Sequence, residues 1–242
     1  MILAGMTAMD TANRAECIRV LCSRGWLSAV PRDFQQSILS RCKWRSFEAG
    51  SLVYHGGADD ADVFGIVRGT VDFSTPFSTV DAPIVHVERA GFWFGVGPIL
   101  SGLPRRVTAT ARGPALLAQV NVSSIKEMLV ARPEWWRHLA SLALDYGDSA
   151  ANIAADLMIR DSTRRCVAVL LRVCGARFSD PPAGEPADAV LSQEELAAMA
   201  NVSRNTLGEV LRKLQERGLI ELGYRAIVVR RPAALRKIVN AG

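Results

Sequence analysis

The spacing of apolar residues changes character three times along the chain. In residues 11–45 it is helical, and two short helices are expected, broken by Trp26-Leu27-Ser28-Ala29-Val30-Pro31. Pro31 suits a first helical turn, which places Phe34, Ile38 and Leu39 on one face. From about Phe47 to Val122 the helical period disappears. Residues 51–54, 63–67, 70–73, 84–87 and 116–120 are short runs rich in β-branched and aromatic side chains. Turn clusters such as His55-Gly56-Gly57, Arg68-Gly69-Thr70 and Ala90-Gly91 separate them. Many short strands with glycine turns predict an all-β roll or barrel.

Beyond this region the helical period returns. Residues 123–130 predict a brief helix, and Pro133 opens a long one that runs to about residue 158. Its apolar residues Trp135, Leu139, Leu142, Tyr146, Ala150, Ile153 and Leu157 step by 4, 3, 4, 4, 3 and 4. Such a seam suits packing against another long helix, and Ala140, Ala143, Ala150, Ala151, Ala154 and Ala155 would allow close approach. No other long helix lies upstream, so a second copy of the chain is the expected partner and those seven residues are its expected interface. A further helix is expected over 162–174, then a loop at 179–186 rich in Ser, Asp, Pro and Gly.

The stretch from Leu191 to Leu207 carries the clearest local signals. Ser192 with Glu195 three residues on is a capping box. Leu196 and Met199 face inward, and Ala200-Asn201-Val202 makes a short turn in which Asn tolerates a left-handed backbone. Ser203 caps a second helix with Leu207, Val210, Leu211 and Leu214 on its inner face. A short helix, a three-residue turn and a second helix predict a helix-turn-helix. Two small strands around Gly223-Tyr224-Arg225 would add a wing. In a duplex the second helix lies in the major groove, its first turn against base edges and its amides near a phosphate. Arg204, Asn205 and Glu209 are the expected base-reading residues, since Arg suits guanine, Asn adenine and Glu the cytosine amine. Ser192, Ser203 and Thr206 complete the candidate DNA-binding set.

Charge sharpens this reading. The net charge is only +5, but residues 1–160 hold 16 basic and 15 acidic side chains while residues 203–242 hold 9 and 3. The positive field sits at the end that carries the helix-turn-helix, as a nucleic-acid-facing end requires. Composition adds limits: 242 residues with 49% hydrophobic and 22% charged side chains make one large or two modest globular domains and exclude intrinsic disorder. No uncharged apolar run approaches the ~18–20 residues that span a bilayer, and no basic segment opens a secretory signal. Five cysteines, an odd count, read as free thiols of a cytoplasmic protein.

Chemistry-bearing motifs are missing. There is no Walker-type glycine loop, HExxH, GxSxG or CxxC, so no enzyme is expected. Asp59, Asp60 and Asp62 read as a solvated loop between strands. His55, His86 and His138 are scattered and read as core or surface residues rather than haem ligands, and no metal site is expected.

With these residues in place, the chain resembles the CRP/FNR superfamily of bacterial transcription regulators over about residues 14–231. The resemblance rests on Tyr54-His55-Gly56-Gly57, Phe64-Gly65-Ile66-Val67-Arg68-Gly69-Thr70-Val71 and Gly91-Phe92-Trp93-Phe94-Gly95. The long helix and Ser203-Arg204-Asn205-Thr206-Leu207-Gly208 complete it. It implies an α+β architecture in three parts. These are an N-terminal double-stranded, jelly-roll-like β-roll of cyclic-nucleotide-binding type with flanking helices (1–130), a long dimerisation helix (131–159) and a C-terminal winged helix-turn-helix (160–242). A hinge would lie near Arg160-Asp161. Double-stranded DNA, a second copy and RNA polymerase are the implied partners, with no membrane.

The departures from the family pattern concern the effector. In cAMP-responsive members the roll carries Phe-Gly-Glu and, several residues on, Arg followed by Ser or Thr; the Glu binds the ribose hydroxyl and the Arg the cyclic phosphate. Here Val96-Gly97 follows Phe94-Gly95, so the Glu is missing. Arg106 would be the phosphate Arg, but Val107 follows it and Thr108 is one residue late. Phe94, Gly95, Arg105, Arg106 and Thr108 form the candidate effector pocket. The adenine-facing positions look like Ala150 and Ala151, and each lost charge-assisted hydrogen bond costs roughly 1.5–3 kcal/mol. Binding of cAMP in the usual way is therefore not expected. The oxygen-sensing branch holds an iron–sulfur cluster on four Cys; Cys17, Cys22 and Cys42 are spaced differently and no fourth Cys lies in the roll. No cluster and no other cofactor is expected. Glu209 stands where cAMP-responsive members carry Arg, so their operator does not transfer. The other reading is a small-molecule or nucleotide sensor whose winged helix serves protein contact.

Overall fold

The computed structural model describes residues 11–75, 84–181, 187–223 and 226–241. Expectations that fall on residues 1–10, on the 182–186 part of the predicted loop and on Tyr224-Arg225 of the wing lie outside the described residues. The chain forms two compact units, Met1–Asp148 and Ser149–Gly242. The division between them falls within the long helix.

In the first unit α1 (Thr11–Ser23), a 3₁₀ turn (Trp26–Ala29) and α2 (Arg32–Ser40) precede the strands. These are β1 (Lys43–Phe47), β2 (Leu52–Tyr54), β3 (Val63–Arg68), β4 (Val71–Ser74), β5 (Ile84–Glu88), β6 (Trp93–Phe94), β7 (Thr108–Ala111) and β8 (Ala115–Val120). A short α3 (Gly97–Ser101) follows β6; α4 (Val122–Ala131) and a 3₁₀ turn (Pro133–Trp135) lead into α5 (Trp136–Leu157). The strands pair antiparallel in two sheets, ordered β1-β8-β3-β6 and β2-β7-β4-β5. This is the double-stranded roll that the strand pattern predicts.

β3 and β8 carry apolar residues on both faces because both of their faces are covered. Phe64, Ile66, Ala115 and Leu117 pack with Tyr54, Val71, Phe73, Phe94, Ala109 and Ala111 in the core shared with the other sheet. Val63, Val67, Leu116, Ala118 and Val120 pack with Leu21, Phe34, Ile38, Ile125 and Met128 under the helices. The two-residue alternation of a strand thus divides each between two cores.

The long helix has the expected length, but its seam is not free, and the dimer-interface expectation is corrected there. Trp135, Leu139 and Leu142 are 7%, 1% and 1% exposed and belong to the helix-side core of the chain's own roll. Tyr146 packs against the same core and donates its hydroxyl to the Trp93 carbonyl at 3.2 Å. The sheet carrying β3 and β8 needs a cover on its outer face, and an apolar stripe at helical spacing supplies it as well as it would supply a second helix. Of the remaining seam residues, Ala150 and Leu157 are exposed and Ile153 is half-buried.

The second unit contains α6 (Ser162–Val173), β9 (Asp188–Ala189), α7 (Gln193–Met199), α8 (Arg204–Glu216), β10 (Ile220–Gly223), β11 (Ala226–Val229) and α9 (Pro232–Asn240). A three-stranded sheet, β10-β11-β9, forms the wing side. Asp161 caps α6, its Oδ1 accepting the Arg164 amide at 2.7 Å. Asp156, near the end of α5, is buried and accepts from Arg172 Nε at 3.2 Å and Arg177 Nε at 3.0 Å, which fastens that end to α6. Among the described residues no helix is long and apolar enough to cross a membrane.

Candidate nucleic-acid interface

α7 and α8 are held by their caps. Ser192 Oγ accepts the Glu195 amide at 3.1 Å, and Glu195 Oε2 accepts the Ser192 amide at 2.6 Å, closing the predicted capping box. Asn201 takes a left-handed backbone with φ 48°, the one non-glycine residue to do so among the described residues. Ser203 Oγ accepts the Thr206 amide at 3.1 Å and lies 2.8 Å from Thr206 Oγ1. Arg165 pins the turn between the helices, donating from Nε to the Ala200 carbonyl at 2.8 Å and from Nη1 to the Ile159 carbonyl at 2.7 Å. Leu207, Val210, Leu211 and Leu214 are buried as expected. The direction of α8 is therefore fixed by its inner face, its cap and the turn before it.

These bonds divide the six predicted DNA-binding residues into two groups. Ser192, Ser203 and Thr206 spend hydroxyls on the helix starts. Arg204, Asn205 and Glu209 are exposed, and their side chains have no hydrogen bond or ion pair among the described residues. A guanidinium, an amide and a carboxylate on the first two turns of one helix can donate to, pair with and accept from base edges. Arg212 is also exposed and continues the line Asn205, Glu209, Arg212 along the helix. The sequence reading missed Arg212, although its i+3 spacing from Glu209 was there to be read.

The predicted effector pocket is rearranged by one residue. Arg105, not Arg106, turns into the roll: its side chain is 1% exposed, while Arg106 is exposed. Backbone bonds to the loop at 57–58 hold Arg105 in place: Gly57 N donates to the Arg105 carbonyl at 2.7 Å and Arg105 N to the Ala58 carbonyl at 2.9 Å. The candidacy of Arg106 as the phosphate ligand is corrected accordingly. Arg105 is already committed: Nη1 donates to the Gly95 carbonyl at 3.0 Å, and Nη2 to Asp60 Oδ2 at 2.6 Å and the Asp62 carbonyl at 2.7 Å. Its guanidinium lies 3.9 Å from the centre of the Tyr54 ring. The buried Nε alone has no acceptor among the described residues.

Gly95 has a φ of +99°, and a Cβ there would come within 2.6 Å of the Asp62 carbonyl and 2.7 Å of Arg105 Nη1. Its place in the motif follows from this crowding. Phe94 stacks on Phe64 at 5.5 Å and meets Phe73 edge-on at 5.1 Å, so it packs the roll. Thr108 Oγ1 accepts the Gly56 amide at 2.9 Å.

The acidic loop is solvated at Asp59 and Asp60, as read, but it also does structural work: Asp60 holds Arg105, and half-buried Asp62 accepts from Gln119 Nε2 at 2.5 Å and the Val122 amide at 3.1 Å. Burial pushes the Cys42 thiol up to about 12, and it donates instead to the Ile38 carbonyl at 3.4 Å. Burial also lowers the pKa of His138, whose ring packs on Phe34. Among the described residues no group of three or more His, Cys, Asp or Glu is placed to hold a metal ion.

A double-stranded roll, and in a second unit a capped helix-turn-helix with a small antiparallel sheet, define a transcription regulator of the winged-helix class. Residues 44–132 match the cyclic nucleotide-binding domain model, and residues 164–238 match the Crp-like helix-turn-helix domain. The chain is 30% identical over 196 residues to the global nitrogen regulator of Synechococcus elongatus, covering 78% of this chain and 86% of that protein. It is 22% identical over 195 residues to the cAMP-activated global transcriptional regulator CRP of Pasteurella multocida, covering 79% and 91%. The structure of FixK2 from Bradyrhizobium japonicum shares the fold, with a TM-score of 0.65 and 20% identity over 81% of this chain and 96% of that one. The chain belongs to the CRP/FNR family of transcription regulators, and its helix-turn-helix is a DNA-binding domain.

Proposed function

We propose that the chain acts as a homodimer on palindromic duplex sites and that cAMP does not control it. The observation that carries the reading is the state of α8: Arg204, Asn205 and Glu209 stand uncommitted on a helix whose cap, inner face and preceding turn are fixed. The dimer is supported by an exposed stripe along α5 and the residue after it. Trp136, Ala140, Leu144, Gly147, Ala151, Ala155 and Met158 step by 4, 4, 3, 4, 4 and 3, and all are exposed. Leu144 and Met158 reach 71% and 80% exposure, which water tolerates poorly in a continuous stripe. Two copies joined along that stripe would present two α8 helices to half-sites about one helical turn apart, roughly 34 Å.

Independence from cAMP is supported by the missing Glu after Gly95, by Arg105 spending both terminal nitrogens on the chain's own oxygens, and by Phe64, Phe73 and Phe94 packed together inside the roll. By family, RNA polymerase is the protein partner and the cytoplasm the compartment. Selection of sites from a random duplex pool tests the proposal. Enriched palindromes, bound more weakly as salt rises and equally well with and without cAMP, are expected. If no duplex is enriched, the winged helix serves protein contact instead; micromolar cAMP binding by calorimetry would overturn the effector reading.

A further inference from the structure

Gly208 lies in the interior of α8, where glycine is among the poorest residues for a helix. The ordinary reasons for a glycine do not apply to it. Its backbone is not left-handed. A Cβ built on it meets no atom within 4 Å. It does not end the helix, which continues to Glu216. The fold of this chain would accept a side chain there.

What surrounds the position is the DNA-facing set. Arg204 stands four residues before Gly208 and Arg212 four after, both exposed, with Asn205 three before; residues so spaced are neighbours on a helix surface. A bare strip of backbone thus interrupts the exposed flank between two arginines. A helix with its side chains is about 10–12 Å across and the major groove is about 12 Å wide. A helix seated in that groove therefore has little clearance on its flanks.

We propose that Gly208 is a positioning residue: the sugar-phosphate wall of the major groove comes against its bare backbone, which sets how deeply α8 sits. Arg204 and Asn205 reach the base edges only at that depth. Gly208 itself selects no base, because it offers no side chain to read one. The inference rests on α8 entering a duplex, as proposed above.

Full-length Gly208→Ala and Gly208→Leu test it, with thermal unfolding and fluorescence anisotropy on a duplex that the unsubstituted protein enriches from a random pool. Gly208→Ala should melt at a higher temperature yet bind that duplex about tenfold more weakly, a loss of the size expected for one mismatched base pair. Gly208→Leu should bind more weakly again, and Gly208→Ala carried through a new selection should enrich the same sequence. Unchanged affinity in Gly208→Ala overturns the assignment while leaving DNA binding by α8 intact. A lower melting temperature in step with the weaker binding would assign the glycine to the fold, and a changed sequence preference would make it a reading residue; either result also overturns it. If the unsubstituted protein enriches no duplex, this inference falls together with the reading it rests on.

Discussion

At Arg105 a single guanidinium holds three stretches of chain together, through Asp60, the Asp62 carbonyl and the Gly95 carbonyl. Asp60 is half exposed, so its side of the ion pair is softened by water, while the two carbonyl bonds lie inside the roll. Removing a charged donor from buried acceptors leaves them unsatisfied, at about 1–3 kcal/mol. Arg105→Ala should therefore lose on the order of 3 kcal/mol in urea unfolding, whereas Arg106→Ala should leave the midpoint where it was. Equal effects would mean that the roll is not held through Arg105. The adjacent pair Arg105-Arg106 also marks a limit of reading sequence. The motif puts a candidate cation at either position, but which of them turns inward depends on pairing with Gly57 and Ala58, about fifty residues away, and no local pattern carries that.

Among the elements, those with strong local signals were the legible ones. α8 has a Ser cap, an Asn turn and apolar residues at helical spacing; β3 and β8 are mostly apolar. β1, with the sequence KWRSF, lies at a sheet edge and is mostly unburied, so it shows no apolar run. β7, TATA, is central in its sheet but built of small residues that read as loop, because the space beside Ala109 and Ala111 is filled by Tyr54, Phe64 and Phe94. α9 escapes a reading by pattern although Pro232 opens it; Leu235 and Val239 are buried, and Arg164 donates two hydrogen bonds to the Val239 carbonyl. α5 was legible as a helix but not in its orientation, since both of its long faces carry apolar residues. Leu142→Asp places a charge in the roll's own core, at a cost of about 4 kcal/mol or more, and should unfold the first unit. Leu144→Asp changes an exposed residue and should leave the fold intact while converting dimer to monomer. Light scattering and circular dichroism on both variants decide the matter: a dimeric Leu144→Asp would place the interface elsewhere.

For the whole molecule, the twofold relation proposed between copies makes each side chain of α8 meet the duplex twice. Arg204 is the strongest candidate for bidentate bonding to guanine, and such a pairing discriminates by roughly 1–3 kcal/mol per base pair. In a dimer the effect of removing it must show at two positions placed symmetrically about the centre of the site, and nowhere else. Ser203 acts differently. Its hydroxyl caps α8 and meets Thr206, so Ser203→Ala should cost about 1 kcal/mol of stability through removal of the cap. Where the same hydroxyl also reaches a phosphate, its removal should weaken all sequences alike, since bonds to the backbone fix register without selecting bases. Arg204→Ala carried through a new selection from random duplexes should relax preference at one symmetric pair of positions while keeping the half-site spacing. Ser203→Ala should return the parental sequence at reduced affinity and a lower melting temperature. If Arg204→Ala retains every base preference, another residue reads the groove, with Asn205, Glu209 and Arg212 next in line; if preference relaxes on one side of the site only, the two copies are not related by the twofold axis.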